Sequence, residues 1–170
     1  MWKLVGKGSR RGSTLPDRAS DIVRRPTFWA GVSAALTLAG PRGRRAALRG
    51  SACYGTAALI HLLIKPIVGR SHPRGGALMQ MGFGTSSFPS GHAASDLALT
   101  LGASQEIPLL FLPLSAATVG AHWALVRGRE HYPSDVVGGG AIAIAVAAAA
   151  WRLWPPGGAG TEEGNPRAES

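Results

Sequence analysis

The chain has 170 residues, enough for one domain, and 45% of them are hydrophobic but only 6% aromatic. With 24 glycines, this composition favours closely packed helices, as in a membrane bundle, over an all-β core. The single cysteine, Cys53, excludes an internal disulfide and a cysteine-based zinc site.

The charge is distributed unevenly along the chain. Residues 1–75 carry a net charge of +12, and residues 76–170 carry −3. Such asymmetry is typical of proteins that meet nucleic acid, an anionic membrane face or an anionic substrate. Residues 1–26 lack the apolar core of a secretory signal peptide. We interpret them as a disordered, basic, cytoplasmic arm, with a nucleic-acid-binding arm as the alternative.

Apolar segments follow the arm, and none shows strand alternation or an internal repeat. The sequence therefore predicts an all-α, integral membrane helical bundle of about four to five helices over residues 27–154. The first segment, residues 27–40, is shorter than the about 20 residues that cross a bilayer, so it either lies in the interface or inserts partly. The later segments cover residues 46–64, 92–104, 106–126 and 136–154. Residues 155–170 have the composition of a disordered tail.

The distribution of basic residues predicts a topology. By the positive-inside rule, the arm and residues 41–49 both lie in the cytoplasm, so residues 27–40 do not cross the membrane. The later segments then alternate in direction. On this count three polar stretches, "KPIVGRSHPR", "FPSGH" and "REHYPSD", emerge together on the non-cytoplasmic side of a multi-pass cell-membrane protein. This convergence predicts a shared site.

The first two polar stretches suit an anion. "KPIVGRSHPR" places Lys65, Arg70 and His72 directly after an apolar helix, where such residues are either membrane anchors or an anion-binding cluster. "FPSGH" places Ser90 and Gly91 at the start of a helix, where unpaired backbone N–H groups attract anions. Ser90 can also simply cap that helix, and the two roles are compatible.

The third stretch supplies a nucleophile. In "HYPSD", Asp135 lies four residues after His131, so its carboxylate can hold one imidazole nitrogen and leave the other free to attack. A surface histidine beside a capping aspartate is the alternative. His92 is the second histidine, able to protonate a leaving oxygen. Together the stretches predict a phosphoryl-transfer site without metal or cofactor. We interpret His61 and His122, inside apolar runs, as satisfied structural histidines.

In this order, the three stretches resemble the motifs of the type 2 phosphatidic acid phosphatase superfamily of membrane lipid phosphatases: Lys-x6-Arg-Pro, Pro-Ser-Gly-His and Ser-Arg-x5-His-x3-Asp. The resemblance covers roughly residues 42–154. It implies a helical membrane core, hydrolysis without metal and an active site facing away from the cytoplasm. It also implies residue roles: a phosphohistidine at His131 supported by Asp135, a leaving-group acid at His92, and phosphate binding by Lys65, Ser90 and Gly91.

The chain departs from this pattern at both arginines. His72 stands before the proline of the first motif, and Ala124 and Leu125 occupy the Ser-Arg positions of the third. Arg70 and Arg127 lie nearby in sequence and are candidate substitutes for phosphate binding. Because a guanidinium that stabilises transition-state charge contributes on the order of 10³-fold in rate, we predict reduced activity. His72 must be protonated to act in the arginine's place.

The leading hypothesis is a membrane phosphatase acting on a lipid phosphate or diphosphate, with prenyl phosphates among the candidates. The second is a catalytically weak family member that binds lipid phosphates or a membrane partner. A vanadium-dependent haloperoxidase has the same anion pocket, but those enzymes are larger and mostly soluble. A nucleic-acid partner is not expected, because the chain has no aromatic platform or recognition helix. The sequence leaves open the lipid and the oligomeric state.

Overall fold

The computed structural model describes residues 15–73 and 86–157, with side chains described from residue 18 onward. Within these ranges the chain is helical and contains no strand, which confirms the all-α prediction. Residues 1–14 of the predicted arm and 158–170 of the predicted tail lie outside the described residues. The helices are α1 (Leu15–Val23), α2 (Pro26–Leu38), α3 (Gly40–Val68), α4 (Gly91–Glu106), α5 (Phe111–Arg127, after a 3-10 turn at Pro108–Leu110) and α6 (Pro133–Leu153).

Three of the described helices are long and apolar enough to cross a membrane, namely Gly40–Val68, Pro108–Arg127 and Pro133–Leu153. They contain most of the predicted segments 46–64, 106–126 and 136–154, whereas residues 92–104 lie in the 16-residue α4, which is not among the candidate spans. The shorter α4 packs against α3, α5 and α6. Small residues permit this packing: a Cβ atom on Gly102 would lie 2.8 Å from the Cys53 sulfur on α3, and one on Gly139 of α6 would lie 2.5 Å from the Ser90 carbonyl oxygen. Such close backbone approach is typical of membrane helix bundles.

A buried ion pair holds one end of the bundle. Arg49 of α3 is fully buried, and its Nε donates to Glu106 Oε1 at 2.8 Å. Its guanidinium carbon lies 4.5 Å from the centre of the Trp154 ring, and Arg45 pairs with the other Glu106 oxygen at 3.4 Å. Residues 41–49, which the charge distribution predicts to be cytoplasmic, therefore contact the end of α4 through Glu106 and the end of α6 through Trp154.

Helices α1 and α2 connect the arm to the bundle. Part of the arm predicted to be disordered is helix α1, which packs against α5. Arg24 then donates to Glu130 Oε2 at 3.2 Å, next to His131. Leu36, in the last turn of α2, packs with Ala46 and Ala47 of α3. Because a 13-residue helix is about 20 Å long, residues 24 and 41–49 lie at opposite ends of α2.

Candidate active site

Backbone hydrogen bonds bring the three polar stretches together at one end of the bundle. Arg70 N donates to Ser86 Oγ at 3.0 Å, and Ser87 N donates to the Arg70 carbonyl at 2.7 Å. Ser90 N, at the start of α4, donates to the carbonyl oxygen of Asp135 at 3.0 Å. The end of α3, the start of α4 and the start of α6 are therefore joined directly, as the sequence predicted for a shared site.

The Asp135 side chain is the centre of this cluster. It is fully buried, and its Oδ1 accepts from Arg70 Nη1 at 3.0 Å. Its Oδ2 accepts from the backbone N–H of Tyr132 at 2.9 Å and lies 3.5 Å from His131 Nδ1. A buried carboxylate needs such compensation, because an unpaired charge away from water is costly. Asp135 is therefore fixed in place to face His131.

The His131 imidazole is also buried, with 9% of its surface exposed. Its Nδ1 has no hydrogen bond in the described part of the chain, and the nearest carboxylate oxygen is that of Asp135. Burial lowers the pKa of His131, the Asp135 charge raises it, and nearby His72 lowers it again. The net effect lowers the pKa of His131, which favours the neutral imidazole, the form that can act as a nucleophile.

Arg70 and His72 flank this histidine. The Arg70 guanidinium donates to Ser134 Oγ at 2.8 Å, and its carbon lies 4.2 Å from the centre of the Tyr132 ring. Its side chain remains 39% exposed. The centres of the His72 and His131 rings are 5.4 Å apart. Arg70 and His72 are thus two candidate cations close to His131, although the residue directly before Pro73 is His72 and not arginine.

The start of α4 combines a side-chain cap with backbone N–H groups of the kind that attract anions. The buried Ser90 hydroxyl accepts from Ala93 N at 3.4 Å, so the capping interpretation is correct. The N–H groups of Gly91 and His92 follow, and the first N–H groups of a helix have no partner within it. Gly91 lies against His61, whose Nε2 would be 2.5 Å from a Cβ atom at position 91. A larger residue at position 91 would therefore require the His61 ring to move.

Cationic groups from other elements surround His92, which is exposed at the start of α4. Lys65, in the last turn of α3, and Arg24, before α2, both interact with it electrostatically. Sequence reasoning missed Arg24, because the charge count placed the arm on the opposite side. No local sequence signal could have found it.

The remaining substitute arginine is not tied to the cluster. Arg127 is the last residue of α5, so the helix does not end early enough to turn Arg127 toward the position of Leu125. Its side chain is exposed and makes no hydrogen bond or ion pair with a described residue. Leu125 is 1% exposed. The family arginine at that position is therefore replaced by a packed leucine.

Of the comparisons with known proteins, only the one with protein-family models gives a match. No curated protein and no solved structure is significantly similar to the chain. The family model of the PAP2 superfamily matches residues 46–157, which is more than half of the chain and includes Lys65, His92, His131 and Asp135. The chain therefore belongs to the PAP2 superfamily, whose members are phosphatases.

Proposed function

We propose that the protein is a membrane phosphatase that hydrolyses a lipid phosphate through a phosphohistidine intermediate, without metal. The observation that carries this proposal is the buried His131 imidazole, whose Nδ1 faces the Asp135 carboxylate at 3.5 Å. Asp135 is itself held by Arg70 and by the Tyr132 backbone. This arrangement favours the tautomer with a proton on Nδ1 and leaves Nε2 with its lone pair free.

The reaction then has two steps. His131 Nε2 attacks phosphorus, the bond from phosphorus to the ester oxygen breaks, and His92 donates a proton to that oxygen. Water next attacks the phosphohistidine and gives its proton to His92, and the nitrogen–phosphorus bond breaks to release inorganic phosphate. His131 and His92 end in their starting protonation states.

The charge of the phosphate requires positive groups at the same place. Lys65, Arg70 and protonated His72 supply side-chain charge, and the N–H groups at Gly91 and His92 supply the helix end. Arg70 retains donors beyond those used on Asp135 and Ser134, since a guanidinium has five N–H groups.

An apolar cavity supports a lipid as the substrate class. A cavity of about 290 Å³ lies between α4, α5 and α6, and the helical segments Pro108–Arg127 and Pro133–Leu153 that line it are long enough to span a membrane. Its lining reaches both catalytic histidines in sequence, since Ala93 follows His92 and Pro133 is two residues after His131. A hydrocarbon chain in this cavity would leave its phosphate at the polar end of the bundle.

A second candidate function is supported by one observation. The buried Leu125 replaces an arginine that would stabilise transition-state charge, so a weakly catalytic protein that binds lipid phosphates is the alternative.

The deciding experiment is phosphate release from a panel of lipid phosphates by the detergent-purified protein, with EDTA present. The proposal predicts release that disappears in His131→Ala, and an acid-labile phosphoenzyme trapped in the wild type only. Lipid-phosphate binding without release from a folded wild type would instead establish the binding function. Release lost on adding EDTA would exclude the metal-independent mechanism.

A further inference from the structure

A second histidine–aspartate pair is buried below the start of α4. Asp96 of α4 is 1% exposed and His122 of α5 is 4% exposed. Asp96 Oδ2 lies 3.5 Å from His122 Nε2, and neither atom makes a hydrogen bond with any part of the chain that the structure describes. The buried indole of Trp29, from α2, also interacts with Asp96. His122, which we interpreted as a structural histidine, therefore lies beside a buried carboxylate.

Helix packing alone does not explain this pair. A buried carboxylate is costly, and the neighbouring buried positions Ala94 and Ala98 of α4 carry no polar group. One turn further along, Thr100 Oγ1 lies 3.2 Å from Thr118 Oγ1, so an uncharged polar contact already joins α4 to α5. The charge of Asp96 is therefore not needed to join the two helices, and we infer another role for it.

The position of Asp96 relates it to His92. Residues four apart share one helix face, so His92 and Asp96 are neighbours with the same spacing as His131 and Asp135. The charged groups that act on His92 are Asp96 on its own helix, His122 of α5, Lys65 of α3 and Arg24 before α2. Asp96 is the only carboxylate among these, and the others repel a proton on His92 when they are charged.

We propose that Asp96 is a positioning residue for the leaving-group acid, while His122 and Trp29 hold the carboxylate in place. The charge of Asp96 favours the protonated form of the His92 ring, which burial disfavours. This inference rests on the proposed function. In the first step the proton moves from His92 to the ester oxygen, and in the second it returns from water. The charge of Asp96 does not change in either step.

The test compares two leaving groups. An alkyl lipid phosphate leaves as a strongly basic alkoxide and needs an acid, whereas p-nitrophenyl phosphate leaves as a stable phenolate and needs none. General acid catalysis contributes on the order of 10²-fold, so Asp96→Asn should lower kcat for the alkyl substrate by about that factor. It should lower kcat for p-nitrophenyl phosphate far less. The alkaline fall of kcat for the alkyl substrate should also begin at lower pH. Thr100→Val, which removes the uncharged contact from the α4 side and does not line the apolar cavity, is the matched control and should affect both substrates equally.

Equal losses on the two substrates, with the alkaline fall unmoved, would overturn the inference and leave Asp96 a structural residue. If Asp96→Asn does not fold, Trp29→Phe is used instead, since it keeps the carboxylate and removes the indole N–H that interacts with it. It should give a smaller loss with the same dependence on the leaving group, and an equal loss on both would again overturn the inference. His131→Ala separates the two proposals: if it retains wild-type activity the proposed function fails, and if it is inactive only the role of Asp96 is in question.

Discussion

The Arg70 guanidinium lies 3.0 Å from the Asp135 carboxylate although the two residues are 65 positions apart in sequence. Arg70 stands two residues before the place where the superfamily motif has arginine, and it still reaches the start of α6. This contact joins phosphate binding to the positioning of the nucleophile, because the same carboxylate faces His131.

Replacing Arg70 should therefore be much more damaging than replacing Arg127. Arg70→Ala removes a positive charge from the site and leaves the buried Asp135 without one of its partners, so we expect kcat/KM to fall on the order of 10²- to 10³-fold. Arg127→Ala removes an exposed side chain without described bonds and should cost less than about threefold. Phosphate release from one lipid phosphate checks both. Similar losses in the two variants would contradict the role assigned to Arg70.

Two neighbours of His131 should move the acid side of the pH profile in opposite directions. The nucleophile must be neutral, so kcat/KM falls as pH decreases through the pKa of His131. Burial lowers that pKa, the Asp135 charge raises it and His72 lowers it. Asp135→Asn should move the acid limb to lower pH, although the rate also falls. His72→Gln should move the limb to higher pH.

These shifts are measured from kcat/KM between pH 4 and 9, because that ratio reports the groups of the free enzyme. Thr118→Val serves as a control whose acid limb should match the wild type. Shifts in the same direction in both His131-neighbour variants would contradict the electrostatic arrangement at His131.

Restoring the family arginine should change substrate binding. An imidazole binds phosphate as a cation only in its protonated form, which alkaline pH removes. His72→Arg, which is charged at all these pH values, should bind inorganic phosphate with little pH dependence from 5.5 to 8 and should raise the rate. Competitive inhibition by inorganic phosphate provides the measurement. A flat profile already present in the wild type would exclude the role of His72.

The apolar cavity should set the preference for chain length. Gly140 lines the cavity, and a Cβ atom there would meet Leu97 at 3.8 Å, so alanine fits whereas a larger side chain fills the space. Gly140→Leu should raise KM for long-chain lipid phosphates and leave a short, water-soluble phosphate unaffected. Ala141→Leu, at an exposed neighbouring position, is the control. Equal effects on long and short substrates would show that the chain binds elsewhere.

We expect the site end of the bundle to face away from the cytoplasm. Cys53 is 2% exposed, so single cysteines can be added over a low background. In intact cells a membrane-impermeant maleimide should label Arg127→Cys, at the site end, but label Arg44→Cys only after permeabilisation. The reverse labelling pattern would place the site in the cytoplasm.

The sequence by itself determined the helical class and the residues of the three motifs. Both depend on local patterns: long apolar runs without alternation, and a serine and a glycine at the start of α4, where Ser90 caps the helix. The pairing of His131 with Asp135 is local as well, because the four-residue spacing covers only the end of the loop and the first turn of α6. These features need no information about distant parts of the chain.

Only the tertiary structure decided which cations reach the site. The pairing of Arg70 with Asp135, the approach of Arg24 to Glu130 and the contact between Asp96 and His122 all join residues distant in sequence. They depend on how α1, α2 and α5 pack, and charge counting gives no information on such contacts because it does not describe the course of a short helix. The buried aspartate of α4 looked unremarkable in sequence, since a carboxylate shows its role only through the groups that packing brings around it.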